Sequence, residues 1–190
     1  GCAVVTILFC VVHHAVSRIC SRWLKNPYIR VAVGAAAVII ITLILGTTDY
    51  MGAGNELIQR AVEEGSARPL DFLWKILLTA ITMRVGFRGG EIVPSLCIGA
   101  TFGCVMGQLL GLPAPICAAS GMAALFCGVT NCPVTSVLIA FELFGFQGVS
   151  YYLIAVAVSY AVSGYYSLYR DQTIVYSKYK ARYINRHTRV

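Results

Sequence analysis

Seven apolar segments run through this chain, and several are too short to cross a bilayer. They cover residues 1–24, 31–46, 69–87, 91–111, 115–129, 133–145 and 149–169. A spanning helix needs about 20 apolar residues. The segments at 115–129 and 133–145 fall short and are bounded by GLPAP (111–115) and TNCP (130–133). In hydrocarbon every backbone polar group must be satisfied, so an interrupted helix is tolerated only where its ends face protein or a polar cavity. In transporters such ends commonly build the ion site. The expected fold is all-α and polytopic, with broken and half-spanning helices.

Composition supports a membrane location: 58% of residues are hydrophobic, 12% are charged and the mean hydropathy is +0.74. The formal charge of +7 could point to nucleic acid. Its placement points elsewhere. Arg18, Arg22, Lys25 and Arg30 form one cluster, and Arg170, Lys178, Lys180, Arg182, Arg186 and Arg189 form another. Both flank apolar spans, as cytoplasmic loops and tails do under the positive-inside rule. No nucleic-acid partner is expected, and the C-terminus is placed in the cytoplasm. The chain starts at Gly1 with GCAVVTILFCVV and no charged leader, so a signal peptide is not expected. The whole of 1–190 reads as one transmembrane region cut from a larger protein, with 170–190 as its cytoplasmic end.

Eight cysteines (2, 10, 20, 97, 104, 117, 127, 132) form no CxxC pair and lie mostly within apolar runs, where Cys acts as a small apolar filler. His13 and His14 have no carboxylate or cysteine near them in sequence, so no ligand role is assigned and no metal is expected. Asn55–Glu64 has helical spacing but is short and charged, which suggests a short helix near the outer surface, ended by Gly65. Residues 149–169 read as one clean span, with Tyr151, Tyr152, Tyr165, Tyr166 and Tyr169 as interfacial belts. A short amphipathic helix is expected over roughly 173–185. Gly99, Gly103, Gly107 and Gly111 recur every four residues and should let another helix approach one face closely.

The chemically pointed stretch is GFRGGEIVPSLCIGATFG (86–103). Glu91 stands behind Gly89–Gly90, and no further charge appears until Glu142. A helix starting at GGEIVP exposes N–H groups without intrahelical partners, with the positive end of its dipole behind them. The glycines admit a ligand close to the backbone, and Pro94 suits a first helical turn. Such a terminus inside a membrane suits an anion. Glu91 could instead merely complement the helix dipole.

GGEIVPSLCIGATFG resembles the GGxFxPxxxxGAxxG signature of the CLC chloride channels and anion/proton antiporters. GMAALFCGVTNCPVTSVLIAFELFG (121–145) is similar to a second family motif, and TIVYSKYKAR (173–182) to a third, where the family carries a tyrosine at the start of its last membrane helix. The resemblance implies the C-terminal half of a CLC protein, one of two inverted repeats. The missing N-terminal half would carry the family's gating glutamate and serine loop. It also implies a homodimer contacting through 133–145 and 149–168. The N–H groups of Glu91 and Ile92, next to Gly90, would coordinate the anion, and the Tyr176 hydroxyl would donate to it. Gly89, Pro94, Gly99, Gly103 and Glu142 would be structural. Fluoride or chloride, with protons, are the only ligands implied; no cofactor is.

Two positions depart from the common pattern. Ile92 replaces the usual Phe, and Glu91 occupies a slot that is usually not acidic. GGE followed by an aliphatic residue resembles the fluoride-exporting branch. An ionised Glu91 repels an incoming anion and competes for its donors, whereas a protonated one can donate to fluoride. Burial and a bound anion both favour the neutral form. Glu91 is therefore the proton-coupling candidate. The alternatives are chloride conduction or exchange, and a half that serves only in structure or dimerisation.

Overall fold

The computed structural model describes residues 1–23, 26–146, 148–169, 171–180 and 182–188. Lys25, Arg170 and Arg189 of the basic clusters lie outside the described residues. Eight helices follow one another among the described residues: α1 (Cys2–Trp23), α2 (Pro27–Leu45), α3 (Asn55–Gln59), α4 (Asp71–Val85), α5 (Ile92–Leu110), α6 (Ala114–Thr130), α7 (Pro133–Phe144) and α8 (Val149–Val162). A hairpin of β1 (Thr173–Tyr176) and β2 (Tyr183–His187) follows. The architecture is all-α, with α1, α2 and α5 long and apolar enough to cross a membrane and α6, α7 and α8 shorter.

Local chemistry accounts for the boundaries. The apolar run of 31–46 gains a full span from its flank: Asn26 accepts from the Tyr28 N–H, and Pro27 occupies the first helical position. α3 continues as a π-turn over Arg60–Glu64 and stops at Gly65, as the sequence suggested. Pro133 opens α7, and Asn131, left-handed at φ 58°, closes α6 just before it.

Two sequence expectations are corrected. The span of 149–169 is a helix only to Val162. Gly164 turns left-handed at φ 62°, and the segment beyond folds back onto the end of α6, where the Leu168 N–H and the Ser167 hydroxyl both donate to the Val129 carbonyl. Tyr165 and Tyr166 are drawn inward with it. Tyr166 packs against the main core, and the Tyr165 hydroxyl pairs with Ser177. The tail helix over 173–185 is instead the hairpin. TIVY and YINRH are rich in β-branched and aromatic residues, which suit a strand better than a helix. Tyr176 pairs with Tyr183, their rings edge-on at 6.0 Å. Lys178, in the turn, donates to the Asn131 side chain and to the Tyr160 carbonyl.

The core centres on α5 and α6. Val5, Phe9 and Cys10 of α1, Ile76 of α4, Ile98 of α5, and Leu125 and Val129 of α6 form one buried cluster. The glycine face does what its spacing implied at three of four positions. A methyl group on Gly103 would collide with the Cys117 carbonyl, one on Gly99 would lie 2.6 Å from the Gly121 carbonyl oxygen, and one on Gly107 would lie 2.9 Å from the Cys117 side chain. Gly111 differs: open space surrounds it, and its role is the left-handed cap of α5 at φ 66°. All eight cysteines are free and five are buried, in keeping with apolar filling. No cluster that could hold a metal occurs among the described residues. Glu142 is exposed on α7, and its side chain makes no hydrogen bond among the described residues.

Candidate functional site

The first turn of α5 is built as an open donor. Glu91 stands at the cap position with φ −86° and ψ −15°, and its side chain makes no capping bond. The N–H groups of Glu91, Ile92 and Val93 have no backbone acceptor among the described residues. Pro94 is buried in the same turn, where its missing N–H loses nothing, and the Ser95 hydroxyl ties back to the Ile92 carbonyl at 2.6 Å. A methyl placed on Gly90 would meet nothing within 4 Å. The backbone is therefore approachable from that side.

That side faces an open cavity of about 560 Å³, lined by Gly89, Gly90, Val93 and Pro94 together with the loop Tyr50–Ala53 and the end of α4. A buried cation holds the loop. Lys75 on α4 is fully buried, and its ammonium donates to the Tyr50 carbonyl at 3.0 Å and the Gly52 carbonyl at 2.8 Å. Nearby, the Tyr50 hydroxyl donates to Asp71 at 2.6 Å, and the Arg68 N–H donates to the other carboxylate oxygen at 2.9 Å. Gly54, left-handed at φ 84°, passes so close to Lys75 and Cys97 that a side chain there would strike both. Lys75 lies within the apolar segment 69–87. The carbonyls it serves come from a distant loop, so no local pattern signals them.

The Glu91 carboxylate points away from its own helix end. Its Oε1 lies 3.7 Å from the Arg84 guanidinium on α4 and 3.4 Å from His13 Nε2 on α1, with the side chain 18% exposed. Arg84 in turn lies 2.9 Å from His13 Nδ1. His13, dismissed on sequence because no acid stands near it, is thus brought to one by the packing of α1, α4 and α5. This arrangement differs from a simple dipole complement, in which the carboxylate would accept from the α5 N–H groups. Ile92 is exposed, and its N–H has no backbone acceptor among the described residues.

Tyr176 is placed otherwise than expected. It sits on strand β1, exposed and stacked edge-on to Tyr183, because the helix it was to begin does not form. Tyr169, in the segment folded back after α8, is exposed at its side chain. Its N–H is held by the Ser167 hydroxyl at 3.1 Å and its carbonyl by the Thr188 hydroxyl at 3.0 Å.

Residues 1–164 match the family model described as voltage gated chloride channel. A relative from Pseudomonas syringae pv. tomato, named a chloride/fluoride channel protein, is 31% identical over 179 residues, covering 91% of this chain and 39% of its own. An uncharacterized protein of Methanocaldococcus jannaschii is 34% identical over 128 residues, covering 65% of this chain and 32% of its own. Among solved structures, that of a CLC-type fluoride/proton antiporter superposes with a TM-score of 0.84 at 33% identity, covering 88% of this chain and 42% of the other. The chain thus spans about two fifths of the length of the first of these relatives and of the solved structure. Its apolar helices and this kinship make it an integral membrane protein of a transporter and channel family whose members carry anions. The chain belongs to the voltage-gated chloride channel (CLC) family.

Proposed function

We propose that the chain is the C-terminal half of a proton-coupled fluoride exporter, in which the open first turn of α5 binds the anion and Glu91 couples it to protons. One observation carries this reading. The Glu91 carboxylate is turned onto Arg84 and His13, while the N–H groups behind it stay free beside a cavity. A carboxylate that can stand beside the anion's donors or be withdrawn from them is what exchange of a proton against an anion requires. Protonated, it donates a hydrogen bond, and fluoride is the halide that accepts one most strongly. Intramembrane ionisable groups mark ion pathways as a rule. The names of the relatives, a chloride/fluoride channel and a fluoride/proton antiporter, are compatible with this reading.

Tyr176 is the phenol that the family resemblance implies for the anion. The N-terminal half would complete the cavity, and the gating glutamate and serine loop would come from it. The exposed apolar faces of α7 and α8, with Val134, Leu138, Ile154 and Val158 outward, suit a homodimer contact. A bacterial inner membrane with the C-terminus in the cytoplasm completes the proposal; the flanking basic residues support that orientation.

The test is efflux from liposomes loaded in turn with fluoride and with chloride, using the intact transporter and following external pH. Fluoride strongly preferred, with protons moving the opposite way, supports the assignment. Equal or chloride-favoured efflux makes this a chloride channel or exchanger. No efflux of either anion refutes the transport reading.

A further inference from the structure

We infer that His13 is a neutral hydrogen-bond donor that latches the Glu91 carboxylate in its withdrawn position, with Arg84 fixing the imidazole tautomer. The inference deepens the proposed role of Glu91 and rests on it.

A guanidinium has donors only. With an Arg84 nitrogen 2.9 Å from His13 Nδ1, that ring nitrogen must be the acceptor and carries no proton. The neutral imidazole then has its proton on Nε2. That atom is buried, makes no hydrogen bond among the described residues, and lies 3.4 Å from Glu91 Oε1. The separation is already short enough for a hydrogen bond; the bond is not made in this arrangement and forms when the carboxylate turns into line with the Nε2–H. An orphaned buried N–H is disfavoured enough to make the carboxylate its natural acceptor. His13 is itself fully buried, with Phe9 tilted beside it at 5.8 Å.

The latch discriminates between the two states of Glu91. To an ionised carboxylate, the Nε2–H makes a charge-assisted bond of about twice the neutral strength. Once Glu91 takes up a proton, the bond weakens to the neutral kind and the attraction to Arg84 is lost. The carboxyl is then free to turn toward the α5 N–H groups and a bound anion. The other titratable groups in reach are Cys10 and His14 on α1, Arg84 on α4 and Tyr169 after α8. His14 is engaged elsewhere, its Nε2 lying 3.1 Å from the Ser167 carbonyl.

The experiment compares His13→Leu, which removes the donor, with His13→Gln, which keeps a neutral N–H. Fluoride efflux and proton counter-movement are followed against pH in liposomes of the intact transporter. His13→Leu should move the Glu91-dependent limb of the profile upward by about one pH unit, the worth of one charge-assisted bond, and His13→Gln by clearly less. Leu and Gln profiles that both superimpose on the wild type overturn the latch. The tautomer is tested without any substitution, by nitrogen NMR of the wild-type protein labelled at histidine, in lipid. A neutral ring bearing its proton on Nε2 is expected. An imidazolium, or a proton on Nδ1, overturns the inference even if the Leu variant fails to fold. Were the wild type to move no fluoride, the transport reading would fall, and the tautomer would still decide whether His13 is placed as described.

Discussion

Substituting Gly103 by alanine should separate α5 from α6. A methyl there collides with the Cys117 carbonyl and comes within 3.1 Å of the Ala118 Cα. Both obstacles are backbone, so no side-chain rotation relieves them. The two helices must move apart, and Gly99 and Gly107 lose their close contacts along the same seam. Overpacking in a well-filled core typically destabilises by about 1–3 kcal/mol, and a backbone obstacle belongs at the upper end. About 3 kcal/mol corresponds to a roughly 150-fold change in the unfolding equilibrium. Because one separation relieves both sites, Gly99→Ala added to Gly103→Ala should cost less than the sum of the two single changes. Contacting sites typically couple by about 0.5–3 kcal/mol. Reversible unfolding of the intact protein in mixed micelles measures all three variants. A Gly103→Ala effect below about 1 kcal/mol, or strict additivity with Gly99→Ala, would refute the reasoning from the shared seam.

Three further outcomes are expected. Gly90→Ala meets nothing in the fold and should leave stability within about 0.5 kcal/mol of wild type while lowering fluoride efflux; equal efflux would show that the anion does not approach there. Lys75→Met should destabilise by about 1–3 kcal/mol, since two loop carbonyls lose their donor, and should speed amide exchange over residues 50–54. Unchanged exchange would mean that the loop is held by other contacts. At Asp49 burial pushes the carboxyl pKa up, but the Arg60 hydrogen bond, at 2.7 Å, and its charge outweigh this and hold it below 3.8. Its contribution is thus present above that value and lost as pH falls through the folded one. Asp49→Asn should therefore destabilise by no more than about 1 kcal/mol at neutral pH and by less in acid. An effect that grew on acidification would contradict this.

Length and apolarity alone marked the membrane class and the broken helices, because a bilayer imposes the same requirement on every sequence. Glycine spacing marked the α5 face, because a four-residue period fixes which side chains share a helix side. It could not separate Gly111 from the other three, since a helix end is decided by where the chain must turn. The GGE terminus was legible because the exposed donors of a helix start are a local property. The partners of Glu91 were not: His13 and Arg84 come from two separated stretches and meet it only through the packing of α1, α4 and α5. The fold-back after α8 shortened the expected last span, and a strand took the place of the helix that Tyr176 was to begin. Sequence thus determined the solvent this protein folds in and the helix start that leaves its N–H donors open. Tertiary structure decided which groups meet the carboxylate beside it, since charges and hydrogen bonds act across space and carry no trace in local spacing.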